Sequence, residues 1–188
     1  MYQLVKVSDL PISKLIHDSK YCYSAEGHGG KTVENWPIHR FFLLYESGKI
    51  NEATDEFVAW YIDQYKKYAH VDKSKGGMKN GSLDRLYKSL QQRKNREPTF
   101  EEAVRERVSQ RFQLLESIRS KGYKPNHSTP VMAYSNNNGS YMLFGGHHRV
   151  AVLATLDYNK VPDVFVFKNK SSFFLYRCFR KLKKIIKL

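Results

Sequence analysis

Apolar residues recur at helical spacing in two stretches of the first half of the chain. Asn51 precedes one stretch and Ser82 precedes the other, and both side chains are of the kind that caps a helix by accepting a backbone hydrogen bond. The pattern therefore predicts two helices, with apolar faces made of Phe57, Tyr61, Tyr65 and Tyr68 in the first and Leu83, Leu86 and Leu90 in the second. Nearer the N-terminus, residues 2–7 alternate as in a short strand, and Ser8 predicts a brief helix that continues to Ile16.

A longer helix is predicted between Thr99 and Gly122. Thr99 followed by Glu102 is the capping-box pattern, in which each residue satisfies a backbone N–H of the other. Gly122 is a typical C-terminal stop. Between these ends the apolar residues keep helical spacing, at Phe100, Val104, Val108, Phe112, Leu115 and Ile118.

The last third of the chain has β-strand character. Residues 130–134 and 140–144 are apolar runs joined by a turn-forming Ser-Asn-Asn-Asn-Gly sequence, which predicts a hairpin. Gly145 and Gly146 end the second run, after which the spacing predicts a helix over 147–156 and a strand over 161–167. This alternation predicts an α+β fold in which helices and strands form packed layers.

Composition limits the class of protein. A length of 188 residues corresponds to one domain with attachments, and a hydrophobic content of 41% excludes a wholly disordered chain. Cys22 and Cys178 lack the spacing of a disulfide framework or a zinc site. No apolar run reaches the roughly 20 residues of a membrane-spanning helix, and no signal-peptide core is visible. The expected location is a reducing cytoplasm.

The net charge of +14 indicates an anionic partner, and it is unevenly distributed. Residues 168–188 contain eight Lys or Arg and no acidic residue, so we interpret residues 1–167 as a single domain and 168–188 as a basic amphipathic tail. Within residues 173–188 one helical face carries Leu175, Phe179, Leu182 and Ile186. This pattern favours an interfacial helix on the inner face of an anionic membrane. The alternatives are a nucleic-acid arm and a helix that docks on the domain itself.

The most distinctive local feature is Gly145-Gly146-His147-His148-Arg149, between a predicted strand and a predicted helix. We refer to these five residues as the GGHHR turn. The N–H groups and positive dipole end of the helix, the close approach that glycine allows and the guanidinium fork all favour a bound phosphate. The alternative is an ordinary tight turn with basic residues on its surface.

The residues from the third helix onward resemble the ParB N-terminal/sulfiredoxin superfamily. The likeness covers residues 100–167: a helix ending at Gly122, a strand pair, the GGHHR turn and a strand that opens with Val161-Pro162. It implies a ParB/sulfiredoxin-like core, with residues 1–99 as a largely helical elaboration. His147 stands where sulfiredoxins have a nucleophilic Cys, which argues against sulfinic acid reduction. The segment after residue 167 is too short for the helix-turn-helix region of chromosome-partitioning ParB proteins.

The closest form of the turn in that superfamily is D-G-H-H-R, found in ParB-like free-serine kinases, where it cradles nucleotide phosphates. Gly145 replaces the Asp of that form. The resemblance implies a nucleotide-dependent phosphotransferase, or kinase, that acts on a small hydroxylated acceptor such as a sugar, a glycan precursor or an amino acid. The implied cofactors are Mg²⁺ and a nucleoside di- or triphosphate, with ATP preferred. The implied phosphate-binding residues are Gly145, Gly146, His147, His148 and Arg149.

Phosphoryl transfer also needs a base and a metal ligand. Glu34 is the first choice for the base, ahead of Glu26 and Asp84, and His147 is the second catalytic candidate; the metal ligands are left unassigned. A second loop, predicted to hold the acceptor or another phosphate, contains Lys75, Gly76, Gly77, Lys79 and Ser82. The structural alternatives are a solvated carboxylate at Glu34 and a solvated loop at 73–82. The remaining histidines, His17, His39, His70 and His127, are interpreted as structural.

Two other functions remain open at this point. One is a nucleotide-binding switch or DNA-associated module without turnover, which the positive charge and the ParB likeness favour. The other is a ParB-like nuclease, which needs a carboxylate-rich metal site that the turn lacks.

Overall fold

The computed structural model describes residues 4–17, 30–68, 91–92, 96, 98–125 and 130–176. The strands are β1 (Leu4–Pro11), β2 (Leu15–His17), β3 (Val131–Ser135), β4 (Tyr141–Gly145) and β5 (Lys160–Phe167). The helices are α1 (Pro37–Glu46), α2 (Ile50–Tyr68), α3 (Phe100–Lys121) and α4 (His147–Thr155). The predicted α+β class is therefore confirmed. The helix predicted after Ser82 and the loop at 73–82 lie outside the described residues, as does the tail beyond residue 176.

The strands form one mixed sheet in the order β1-β5-β3-β4-β2. The predicted hairpin is present, because β3 and β4 pair antiparallel. β5 then lies parallel to β3 on its other side. The two strands nearest the N-terminus occupy opposite edges, with β1 antiparallel to β5 and β2 parallel to β4.

The helix predicted from Ser8 to Ile16 is wrong. Ser8 lies within β1, opposite Asp163 of β5, and the strand continues to Pro11. A 3₁₀ turn (Ile12–Lys14) then leads into β2. β1 pairs with β5 from Leu4 to Ser8 and again at Leu10 and Pro11. This long-range pairing satisfies backbone groups that a helix would have used, and it outweighs the local capping preference of one serine.

Two helices precede the predicted core. α1, which the patterns above leave unassigned, starts at Pro37, a residue suited to the first helical turn, and buries Ile38 and Phe42. α2 begins at Ile50, one residue before the predicted cap, so the capping role of Asn51 is wrong. Instead, the Lys49 carbonyl accepts the Ala53 N–H at 2.9 Å. Asn51 is an exposed residue of the first turn.

The capping box of α3 is present as predicted. The Thr99 hydroxyl accepts the Glu102 N–H at 3.2 Å, and the Glu102 carboxylate accepts the Thr99 N–H at 2.8 Å. Gly122 follows the helix with a φ of +70°, a conformation that glycine adopts readily. α3 thus runs between the two ends that the sequence predicts.

Helices cover one face of the sheet. α1 packs on α2 and α4, and α3 packs on the same two helices. Their apolar side chains share one core with the sheet residues Val131, Ala133, Leu143, Val164 and Val166. On the opposite face, Tyr134 and Phe167 form a second cluster with Phe173, which lies beyond β5. The sheet therefore positions the GGHHR turn at the end of β4, directly under the helical layer.

Candidate functional site

The GGHHR turn changes the chain from strand to helix at Gly146. Gly146 has a φ of +86° and ψ of 14°, in the left-handed region, and α4 begins at the next residue. The first intrahelical hydrogen bond joins the Val150 N–H to the Gly146 carbonyl at 3.1 Å. The amide groups of His147, His148 and Arg149 thus lie ahead of that bond, at the positive end of the helix, where an anion is stabilised.

Gly146 also lies in close contact with β3. A Cβ on Gly146 would lie 2.8 Å from Val131 Cγ2 and 3.0 Å from Val131 Cα, closer than real side chains approach. Both the positive φ and this contact require glycine. Gly145 is different, since a Cβ there would meet Met132 Cβ at an ordinary 3.5 Å. Packing therefore permits a side chain at 145, and the loss of the Asp seen in the D-G-H-H-R form is not forced by the fold.

His147 is half-buried and held on two sides. Its Nε2 lies 3.4 Å from the Leu143 carbonyl, and its ring meets the Trp36 ring edge-on with centroids 6.2 Å apart. A carbonyl oxygen only accepts hydrogen bonds, so this contact favours the tautomer with its proton on Nε2 and leaves Nδ1 as the basic nitrogen.

His148 reaches toward the helical layer. Its Nε2 lies 3.5 Å from the hydroxyl oxygen of Tyr61 on α2. Tyr61 in turn stacks on buried Phe57, with ring centroids 5.1 Å apart. This contact joins α2 to the start of α4. Sequence reasoning had placed Tyr61 on the apolar face of its helix without a role at the turn.

Arg149 lies in a charged cluster on the other side of the turn. Its guanidinium and the carboxylate of Asp163 on β5 both lie near enough to the Tyr123 hydroxyl to act on its pKa. Burial raises the pKa of Tyr123, Asp163 raises it further, and the positive charge of Arg149 opposes both. Asp163 also forms an ion pair with Lys6 of β1 at 3.0 Å. The cluster holds two cations and one carboxylate, so it keeps a net positive charge beside the turn.

Glu34 is an exposed residue of a 3₁₀ turn, Val33–Asn35, that packs against the start of α4. Two residues later, Trp36 contacts His147, so the loop of Glu34 and the GGHHR turn come together. Glu34 lines a cleft of about 400 Å³, together with Asn35, Trp36, Pro37, Arg40, Phe41 and Trp60. A larger groove of about 620 Å³ lies between α2 and α3 and has no residue of the turn in its lining.

The remaining predicted site residues lie outside the described part of the chain. These are Glu26, Asp84 and the second loop with Lys75, Gly76, Gly77, Lys79 and Ser82. Sequence reasoning missed the residues that support the turn from a distance, Tyr61, Tyr123 and Asp163. One signal was available, because Asp163 interrupts an otherwise apolar strand. Tyr123 follows the helix-ending Gly122 and has no comparable signal.

Within the residues that the structure describes, no group of three or more His, Cys, Asp or Glu side chains is arranged to hold a metal ion. Among those same residues, no helix combines the length and apolar character needed to cross a membrane. Comparison of the chain with protein-family models, with curated proteins and with solved structures finds no match. The likeness of residues 100–167 to the ParB N-terminal/sulfiredoxin superfamily therefore depends on the order and spacing of its motifs.

His39 makes stability sensitive to acid. It is buried on α1, and burial lowers the pKa of its imidazole, an effect that nearby Glu34 partly opposes. In the unfolded chain an imidazole titrates near ~6.5, so on acidification the unfolded state binds the proton first. We expect the free energy of unfolding, measured with denaturant, to fall as the pH drops below about 6.5. His39→Gln should weaken this dependence; an identical pH dependence in the variant would contradict the assignment.

Proposed function

We propose that this protein is a nucleotide-dependent phosphotransferase whose GGHHR turn binds the phosphates of a nucleoside di- or triphosphate. The observation that carries the proposal is the conformation of Gly146. A left-handed glycine, packed against Val131, leads directly into a helix whose first three residues are His147, His148 and Arg149. Backbone amides, a helix dipole and a guanidinium then act on one anion.

The surrounding contacts suit this role because they orient the side chains before a ligand arrives. Tyr123 interacts with the guanidinium of Arg149 beside the turn, while Tyr61 and the Leu143 carbonyl contact the two imidazoles. A ligand then loses less conformational entropy on binding, because the side chains are already ordered. Asp163 also pairs with Lys6 at 3.0 Å and so offsets the charge of that cation.

Glu34 is the proposed base. Glu34 lines the cleft together with Trp36, and the Trp36 ring meets the His147 ring with centroids 6.2 Å apart, so one indole ring lies between the cleft and the turn. A base removes the hydroxyl proton as the oxygen attacks phosphorus. The cleft combines Asn35 and Arg40 with the indole of Trp60, a mixture of polar and aromatic groups that fits a small hydroxylated molecule such as a sugar or an amino acid.

Mg²⁺ would be held mainly by the nucleotide phosphates, since this cation keeps most of its water and takes only one or two protein carboxylates. When bound, the ion neutralises charge on the transferred phosphoryl group.

The test is isothermal titration of the full chain with ATP, ADP and CTP in the presence of Mg²⁺. Arg149→Ala removes the guanidinium, and we expect it to weaken nucleotide binding at least tenfold, the order of magnitude expected for a charge-assisted contact. Arg105→Ala is the matched control, because Arg105 is exposed on α3 and pairs with Glu101 and Asp55 away from the turn. It should bind nucleotide as the wild type does.

Two results would contradict the proposal. If the wild-type chain binds none of the nucleotides, or if Arg149→Ala binds them unchanged while remaining folded by circular dichroism, the turn is not the phosphate site. If nucleotide binds but no phosphate is transferred to any sugar or amino acid in a screen, and Glu34→Gln behaves as the wild type, a nucleotide-binding switch without turnover replaces the transferase.

A further inference from the structure

The segment that follows β5 is fastened to the back of the sheet. The Asn169 side chain accepts the Ser172 N–H at 2.8 Å and opens a helical segment that the structure describes from residue 170 to 176. Phe173 is only 3% exposed, and its ring lies with its centroid 3.8 Å from that of Phe144. The Tyr176 ring lies 5.1 Å from the Phe167 ring. One side of this helical segment is thus packed on the sheet.

The other side of the same segment carries large apolar side chains that face water. Phe174 is 59% exposed and Leu175 is 46% exposed. Leu4, at 38%, lies directly opposite Phe167 in the β1–β5 pairing, so its side chain projects from the same face of the sheet. We call Leu4, Phe174 and Leu175 the apolar rim. Because Phe173 and Tyr176 pack on the sheet, the segment cannot rotate to bury Phe174 and Leu175.

The charge next to the apolar rim is entirely positive along the chain. Lys168 and Lys170 are exposed in the described segment, and residues 168–188 contain eight Lys or Arg without an acidic residue. Cations attract any anionic surface, but exposed aliphatic side chains gain free energy only where hydrocarbon is available. The phosphates of duplex DNA offer nothing to Leu4 or Leu175. The combination of the two chemistries therefore points to a lipid surface.

We propose that the apolar rim and the adjoining cations dock this end of the sheet on an anionic membrane. The apolar side chains enter the boundary between headgroups and acyl chains, while the cations bind the anionic headgroups. Because Phe173 and Tyr176 join the segment to the sheet, docking fixes the orientation of the folded domain and not of the tail alone. This inference does not depend on the proposed phosphotransfer.

The experiment is sedimentation of the full chain with vesicles of phosphatidylcholine alone and of phosphatidylcholine mixed with phosphatidylglycerol. We expect partition into the mixed vesicles only. The double variant Phe174→Ser with Leu175→Ser should lower that partition about tenfold or more, from the loss of buried apolar area. Lys168→Gln and Lys170→Gln should each lower it about fivefold, as expected for one cation near an anionic surface.

The matched control is Leu43→Ser with Ile50→Ser, which removes two apolar side chains of similar exposure, 47% and 50%, from the helical layer. It should partition as the wild type does. Circular dichroism checks that every variant is folded. The proposal is overturned if the wild type does not bind the mixed vesicles, or if the Phe174 and Leu175 double variant binds them unchanged. Salt-sensitive binding to duplex DNA without vesicle binding would assign the cations to a nucleic acid instead.

Discussion

Replacing Gly146 with alanine is expected to lower the free energy of unfolding by about 2 to 5 kcal/mol. The added methyl group causes both backbone strain and a steric clash. The backbone there has a φ of +86°, which costs an L-residue about 1 to 2 kcal/mol. The new Cβ would also lie 2.8 Å from Val131 Cγ2, so β3 or α4 has to move. Urea unfolding measures the sum of the two costs.

The chain offers a control for each cost. Gly48 has a φ of +83° with nothing within 4 Å of its Cβ position, so Gly48→Ala reports the backbone cost alone. Gly145→Ala adds a methyl group at an ordinary contact distance and without a positive φ, so it should be nearly neutral. Adding Val131→Ala to Gly146→Ala removes the Cγ2 methyl group, the closest of the atoms that the new Cβ meets, while Val131 Cα at 3.0 Å remains. The destabilisation of the double variant should be smaller than the sum of the two single effects. Strict additivity, or a Gly146→Ala effect no larger than that of Gly48→Ala, would rule out the steric part.

Phe57→Ala is expected to destabilise the fold by about 3 to 5 kcal/mol, the usual cost of removing a buried aromatic side chain. Phe57 is fully buried in the helical layer, where its ring lies 4.6 Å from Phe41 and 6.0 Å from Phe112 by centroid distance. Truncation leaves a cavity between α1, α2 and α3. The melting temperature should fall by roughly 10 °C or more for a chain of this size.

The control for Phe57→Ala is Phe100→Ala, which truncates an aromatic residue that is 37% exposed at the start of α3. It should cost about 1 kcal/mol or less. If Phe57→Ala and Phe100→Ala have the same melting temperature, the stacked aromatic residues are not the core of the helical layer. Phe57→Ala also removes the ring on which Tyr61 stacks, so nucleotide affinity should fall in the surviving folded fraction through the loss of order at His148.

Local signals allowed the sequence to predict those parts of the fold that depend on neighbouring residues. The capping box at Thr99, the hairpin across residues 135–139 and the glycine turn before α4 each depend on a few consecutive side chains, and all three are present. The Ser8 prediction failed for the opposite reason, since the partner that decides the conformation is β5, at the far end of the chain. α1 was not predicted although Ile38, Phe41 and Phe42 have helical spacing, because the helix begins without a capping side chain.

The candidate site divides in the same way. The glycines and the three polar residues of the turn are adjacent in sequence, so the motif was visible. The groups that orient them come from α2, from the end of α3 and from β5, and only the folded arrangement brings Tyr61, Tyr123 and Asp163 to the turn. The spacing of apolar residues predicts the buried faces of helices and strands. It does not predict which polar atom on such a face contacts a residue that is distant in sequence.

The strand order has a consequence for synthesis of the protein on the ribosome. Of the strands that the structure describes, β1 leaves the exit tunnel before all the others and its partner β5 after them, with Leu4 opposite Phe167. At translation rates of about 5 to 20 residues per second, β1 waits on the order of ten to thirty seconds without a neighbour. During that interval its unpaired backbone edge can bind another nascent chain or a chaperone. Removing residues 4–11 should therefore take this binding edge away from the nascent chain, and it leaves β5 as an exposed edge of the folded sheet.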